Sequence, residues 1–292
     1  MLIDALLALS READFPLYHL CVRQNDTMQT AHFLPANEVQ PVYSVSKTLT
    51  ATAAGILISR GMLSVEESVY DLLHPLCPED CREEWREVTL GHLLSHTTGI
   101  SGMMLDLDCD RAEDYPTNDY LAICLRAPLV TKPGSAFAYS DSNFYLASRM
   151  IAARYGRPLQ ELLRTELFNP LAFQGHAVAT CPAGHALGGT GMFFRVQDLC
   201  KLGALYQQGG VWQGKRILSE AWCDLATAPH SPDGGYGYGL WRSTSRPCYS
   251  FAGMYGQLVF VSRTKPIVVA LTTYDREGKC RIIEDFLRKE CC

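Results

Sequence analysis

The sequence of 292 residues has no apolar run approaching the roughly 20 residues that a membrane-spanning helix needs. It has no surplus of positive charge: 26 Lys and Arg against 31 Asp and Glu leave a formal net charge of −5. Nothing electrostatic therefore recommends nucleic acid or an anionic membrane as a partner. Internal repeats and low-complexity tracts are missing too. The first segment, MLIDALLALSREADFP, lacks a basic start and a small-x-small cleavage site, and Asp4 interrupts its apolar stretch. It reads as an amphipathic helix rather than a signal peptide, and a cytoplasmic location is expected. Cysteine, by contrast, is plentiful at 12. Cys77 and Cys81 lie close together and Cys291 and Cys292 adjoin, but no second pair completes a zinc pattern. Reduced thiols are expected, the buried ones acting as small apolar side chains, with no metal or organic cofactor.

What is present suffices for a large core: 47% of the residues are hydrophobic, enough for one large domain or two smaller ones. After the first helix, FPLYHLCV and TMQTAHFL read as strands around the turn residues RQND. Thr48 to Arg60 reads as a helix stopped by Gly61. Residues 72–186 are mostly helical with long loops; TLGHLLSH is a short helix closed by Gly99, and SNFYLASRMIAARYG ends at Gly156. VQDLCKLGALYQQGG and SEAWCDLA follow as helices. GYGYGLWR, CYSFAG, QLVFVS and PIVVALTTY then read as successive strands, and CRIIEDFLRKE as a terminal helix. Strands at both ends with helices between predict an α/β fold with one antiparallel sheet flanked by helices and an inserted helical region. The boundaries are 1–71 and 187–292 for the sheet part and 72–186 for the insertion, with a groove between them as the natural site.

PVYSVSKTLTATAAGIL, residues 41–57, holds the first chemical signal. Ser44 precedes a helix and could simply cap it. Lys47 lies three residues on, so both side chains meet at the first turn, where backbone N–H groups favour developing negative charge. The second Ser-x-x-Lys, Ser262 to Lys265, falls between two strand-like runs and reads as a hairpin turn. A serine hydroxyl needs a base. A free lysine is neutral at pH 7 in only about one molecule in 2,500, so Lys47 as base demands strong desolvation. Tyr139, at the start of a helix with Asp141 two residues on, is a second basic group; Ser140 or Asp141 would cap that helix.

SVSK, HLLSHTTGI, KPGSAFAYSDSN, GGTGMFFRVQDLCKLGALYQQGGVWQGKRILSEAW and GYGYGLW occur in an order that resembles the serine beta-lactamase and penicillin-binding-protein superfamily. The branch most like it holds class C beta-lactamases, esterases and D-aminopeptidases. The resemblance runs from about residue 15 to 275. It implies Ser44 as acylated nucleophile, Lys47 as its helix partner, and Tyr139 as the general base that also protonates the leaving group. Asp141 stands where this superfamily usually has Asn. Its third motif, Lys or His followed two residues later by Gly on a strand lining the groove, is best matched by Phe251-Ala252-Gly253, with the N–H groups of Ser44 and Met254 as oxyanion hole.

Two departures carry expectations. Asp141 near Lys47 would hold the lysine protonated, leaving Tyr139 as proton acceptor and activity rising above pH 7.5. Phe251 cannot hold a substrate carboxylate, so esters and amides lacking one are expected to turn over better than beta-lactams. The substrate class is thus a small or peptide-like ester or amide, and a catalytically silent sensor on the same fold is the alternative. His96 is expected to orient a loop beside the groove. The acidic stretch DLDCDRAEDYP, without calcium-loop spacing, is expected to be a solvated, mobile loop at the groove mouth. Tyr236, Tyr238 and Trp241 fit sheet packing or groove wall equally.

Overall fold

A computed structural model describes residues 1–292. Helix α1 (Leu2–Ala13) precedes the hairpin β1 (Leu17–Gln24) and β2 (Thr27–His32). Asn25 turns this hairpin at φ 54°, a left-handed conformation that Asn tolerates, so β1 runs on through Arg23 and Gln24 while β2 begins at Thr27 as the sequence suggests. Strand β3 (Val39–Pro41) leads to α2 (Val45–Ser59). The middle of the chain holds α3 (Val69–Leu73), α4 (Leu90–Leu94), α5 (Tyr120–Leu125), α6 (Asp141–Tyr155) and α7 (Leu159–Leu163). Then come β4 (His176–Val178), β5 (Met192–Arg195), α8 (Val196–Gln207), β6 (Val211–Trp212), β7 (Lys215–Arg216) and α9 (Glu220–Ala226). The last part is β8 (Trp241–Arg242), β9 (Cys248–Gly253), β10 (Gln257–Ser262), β11 (Ile267–Thr273) and α10 (Arg281–Glu290).

Six strands form one sheet in the order β2-β1-β11-β10-β9-β8, antiparallel throughout. The two ends of the chain therefore share a sheet, with Leu20 opposite Leu271. Side chains alternate between its faces. Leu258, Phe260, Val269 and Leu271 pack with Leu6 of α1 and Leu287 of α10. Val259, Val261, Val268 and Ala270 join the larger core with α2 and α8. Both faces are covered, which is why β10 and β11 read as unbroken apolar runs. Helix α2 is buried all round from Val45 to Leu57, as an apolar helix without a polar face must be.

Three expectations need correction. GYGYGLWR is not a strand: only Trp241 and Arg242 pair with β9, because the glycines before them turn the chain (Gly234 and Gly239 have φ of 72° and 71°). Helix α4 ends at Leu94, and the left-handed residue beyond it is His96 at φ 58°, ahead of Gly99. Finally, β3, β5 and β4 form a small second sheet that sequence reading missed, since three- and four-residue strands are too short to show a period.

Candidate active site

Ser44 does not cap α2 with its side chain. Its Oγ instead accepts a hydrogen bond of 3.0 Å from Lys47 Nζ. Tyr43, just before it, sits at φ 47°, a conformation that costs a bulky residue about 1–3 kcal/mol and that surrounding structure must enforce. The Ser44 N–H donates to no group within the chain. Lys47 is 1% exposed. Besides Ser44, its ammonium donates to Asp141 Oδ1 at 2.5 Å and to the Gly189 carbonyl at 3.0 Å. An ammonium has three N–H donors, and all three are engaged. Burial alone would lower the Lys47 pKa, but Tyr139 and Asp141 outweigh it and hold the ammonium above its ordinary value.

Helix α6 begins at Asp141 with Ser140 as its cap, whose Oγ accepts the Ser142 N–H at 3.2 Å. Tyr139 thus lies just ahead of the helix. Its ring is centred 4.7 Å from Lys47 Nζ and stacks on Trp241 at 5.9 Å. His96 lies behind it at 4.3 Å. The His96 Nδ1 accepts the Ser140 N–H at 3.2 Å, and its carbonyl accepts the Ala138 N–H at 2.8 Å, so His96 holds the segment that presents Tyr139. Burial, and then the charge of Lys47, push its pKa well down, so the imidazole is neutral.

The acidic stretch is solvated from Cys109 to Asp114 but is tied down at its start. The Leu107 N–H donates to Asp141 Oδ2 at 3.2 Å, Asp108 accepts from the Thr190 hydroxyl, and Leu105 is buried. Sequence reading could not see this, because the partners lie 34 and 82 positions away. Burial raises the Asp108 pKa.

Of the third motif, Ala252 and Gly253 reach the cleft and Phe251 does not. Gly253 ends β9 against Ser44: a Cβ there would stand 2.4 Å from the Val42 carbonyl and 3.3 Å from Ser44 N. Strand β8 pairs only with Tyr249 and Ser250, which leaves the edge of Phe251, Ala252 and Gly253 without a partner strand. Phe251 itself does not line the groove. It is 1% exposed and packs against Tyr206 at 5.6 Å, because its face of β9 looks onto the core beneath α2 and α8. Ser44, Tyr139, Trp241, Ala252, Gly253 and Met254 do share one cleft of about 740 Å³.

The ambiguity in GYGYGLW also resolves. Trp241 is groove wall, Tyr236 is buried against His96 at 5.1 Å, and Tyr238 stacks on His230 at 3.7 Å. Sequence reading missed Tyr43, Tyr255 and Tyr274, a cluster with ring centres 5.2 and 4.4 Å apart; no local signal marks them. Gly189 and Thr190 did lie within a quoted motif, GGTG, without a stated role. No group of three or more His, Cys, Asp or Glu side chains is gathered as a metal site, and no helix is long and apolar enough to cross a membrane.

Comparison with known proteins gives the following. A family model described as Beta-lactamase matches residues 20–289. Penicillin-binding protein 4 of Amycolatopsis lactamdurans is 32% identical over 139 residues, 48% of this chain and 35% of that protein's length. The 6-aminohexanoate-dimer hydrolase of Paenarthrobacter ureafaciens is 25% identical over 264 residues, covering 79% of this chain and 65% of that protein. This chain thus spans only about a third of the first relative and just under two thirds of the second. A D-stereospecific amidohydrolase from Streptomyces shares the fold, with a TM-score of 0.74 at 19% identity over 97% of this chain and 98% of that one.

Proposed function

Because the chain belongs to the beta-lactamase family, we propose that it is a serine hydrolase that cleaves esters or amides through an acyl-enzyme on Ser44. One observation carries the choice of base: Lys47 spends its three N–H groups on Ser44, Asp141 and Gly189. A cation that donates to the nucleophile cannot take its proton, so Tyr139 does. Ser44 Oγ attacks the carbonyl as its proton passes to Tyr139, which acts as the phenolate and becomes the phenol. Lys47 stabilises the oxyanion character of Oγ, and the unengaged Ser44 N–H with the Met254 N–H receives the charge on the tetrahedral intermediate, a donor pair of which each member is worth about 10²–10³ in rate. Tyr139 returns its proton to the leaving alcohol or amine. A water, deprotonated by Tyr139, then releases the acid.

The substrate reading follows from charge. Asp141 neutralises Lys47, and the β9 residues that do reach the cleft, Ala252 and Gly253, carry no charge. Further along, Arg276 and Arg281 line it together with Asp275, Glu277 and Glu284, so carboxylates outnumber guanidiniums three to two. Esters and amides without a carboxylate beside the scissile bond are the expected substrates; the amidohydrolase and dimer hydrolase among the similar proteins favour including amides.

The test is labelling by a fluorophosphonate probe, followed by intact mass after exposure to esters, D-amino-acid amides and beta-lactams. The native chain should gain one adduct and Ser44→Ala none. Equal labelling of both sinks the proposal. Acylation without turnover on every compound would instead favour the sensor alternative.

A further inference from the structure

Strands β1 and β2 set two histidines directly opposite each other, His19 and His32. Their Nδ1 atoms stand 2.9 Å apart. His19 is 2% exposed, and its Nε2 lies 2.8 Å from the Asn37 carbonyl. A carbonyl only accepts, so Nε2 carries the proton and donates it. Two Nδ1 atoms at 2.9 Å cannot both carry a proton, and with its proton on Nε2 the His19 ring presents the Nδ1 lone pair toward His32. The tautomer is thereby fixed from behind by a backbone carbonyl, as it is for metal-ligating imidazoles. In the ion-free chain His32 Nδ1 therefore carries a proton and donates it to His19 Nδ1; His32 is exposed, and moving that proton to Nε2 frees its Nδ1 lone pair.

We propose that His19 and His32 form a two-nitrogen chelate for a divalent transition ion of square-planar or octahedral preference, Cu²⁺ or Ni²⁺. The 2.9 Å spacing, set in the ion-free chain by the ring-to-ring hydrogen bond, also suits this class. Two nitrogen ligands about 2.0–2.1 Å from a metal stand about 2.9 Å apart in cis positions at a right angle, against about 3.3 Å at a tetrahedral angle. Water completes the coordination. The carboxylate of Glu38 lies close enough to act on His19 electrostatically. It pairs with Arg195 at 2.7 Å and is more than half exposed; the two charges act on His19 in opposite senses. The bound ion would tie the β1–β2 hairpin, through the His19–Asn37 contact, to the segment that enters β3 and leads on to Ser44. It would then raise the unfolding temperature with ion concentration, as any ligand of the native state does.

The test is calorimetric titration of the untagged, reduced chain with Ni²⁺, repeated on His32→Ala. His32 is exposed, so this variant should keep its fold and its esterase or amidase activity. A second variant, His19→Gln, removes the other nitrogen. The native chain should bind one Ni²⁺ with a rise in unfolding temperature, and each variant should bind at least tenfold more weakly. The spacing also predicts that Cu²⁺ and Ni²⁺ lose more affinity than Zn²⁺ in the variants. Equal binding by native chain and His32→Ala would place the ion on thiols elsewhere and overturn the proposal, as would no binding at all.

Discussion

Lys47 and Asp141 form a buried ion pair, with side chains 1% and 5% exposed. Such a pair contributes little net stability, but losing one partner strands a charge and costs about 3–5 kcal/mol. Asp141→Ala should therefore lower stability by about that amount, read from urea midpoints. Asp141→Asn, which still accepts from Lys47, should cost much less. The Asn variant also removes a negative charge from the place where a phenolate must form. We expect the native kcat/KM to rise above pH 7.5, and the Asn variant's rise to begin at lower pH. A native profile flat from pH 6 to 9, or a rise unmoved by Asp141→Asn, would remove Tyr139 from the base's role. Ser44 and Lys47 were legible because their relation is local, one helical turn. That Asp141 meets Lys47 could be anticipated only through the resemblance, since 94 positions separate them. That Leu107 meets Asp141 had no sequence signal.

At the scale of elements, close approaches decide what substitutions do. Helix α2 carries Gly55 in its interior, where Ala would ordinarily be about 1 kcal/mol better. A Cβ there would lie 2.2 Å from the Trp222 ring, and Trp222 is itself fully buried. Overpacking of this kind costs about 1–3 kcal/mol, so the clash outweighs the propensity and Gly55→Ala should destabilise. A variant of higher thermal midpoint would contradict that. Gly253→Ala is the functional counterpart. Its methyl would push β9 from Val42 and Ser44, and we expect acylation to slow by about 10², beyond what a stability loss of about 1–3 kcal/mol explains in a chain that stays folded. Strands β9, β10 and β11 were readable from composition, because β-branched and aromatic residues cluster between turn signals. Phe251 was misplaced because a motif match fixes backbone register and says nothing of how much core lies under a given side chain.

Across the whole molecule, acid is the expected weakness. Burial lowers the pKa of His19, His92, His96, His185 and His230 below 6.5. In the unfolded chain these imidazoles bind protons near pH 6.5, whereas in the folded chain they do so only at lower pH. The unfolded state thus holds more protons in that interval, and stability falls with pH. The contribution is complete above about pH 6.5 and is lost as pH drops below it. Urea midpoints should be clearly lower at pH 5.5 than at 7.5; equal midpoints would show that these side chains are not buried neutral. The sheet's construction from both chain ends was legible in the order of strand-like and helix-like segments. Its strand order was not, because pairing depends on contacts far apart in sequence.

That pairing bears on how the protein is made. Leu20 of β1 faces Leu271 of β11, so a ribosome releases one of the sheet's inner strands about 250 residues before its neighbour exists. At about 5–20 residues per second, the nascent hairpin waits some 12–50 s with Leu20 and Val22 uncovered. During translation this protein should lean on whatever shields apolar segments at the exit tunnel, and shortened nascent chains that stop before β11 should be captured by a holdase chaperone while full-length released chains are not.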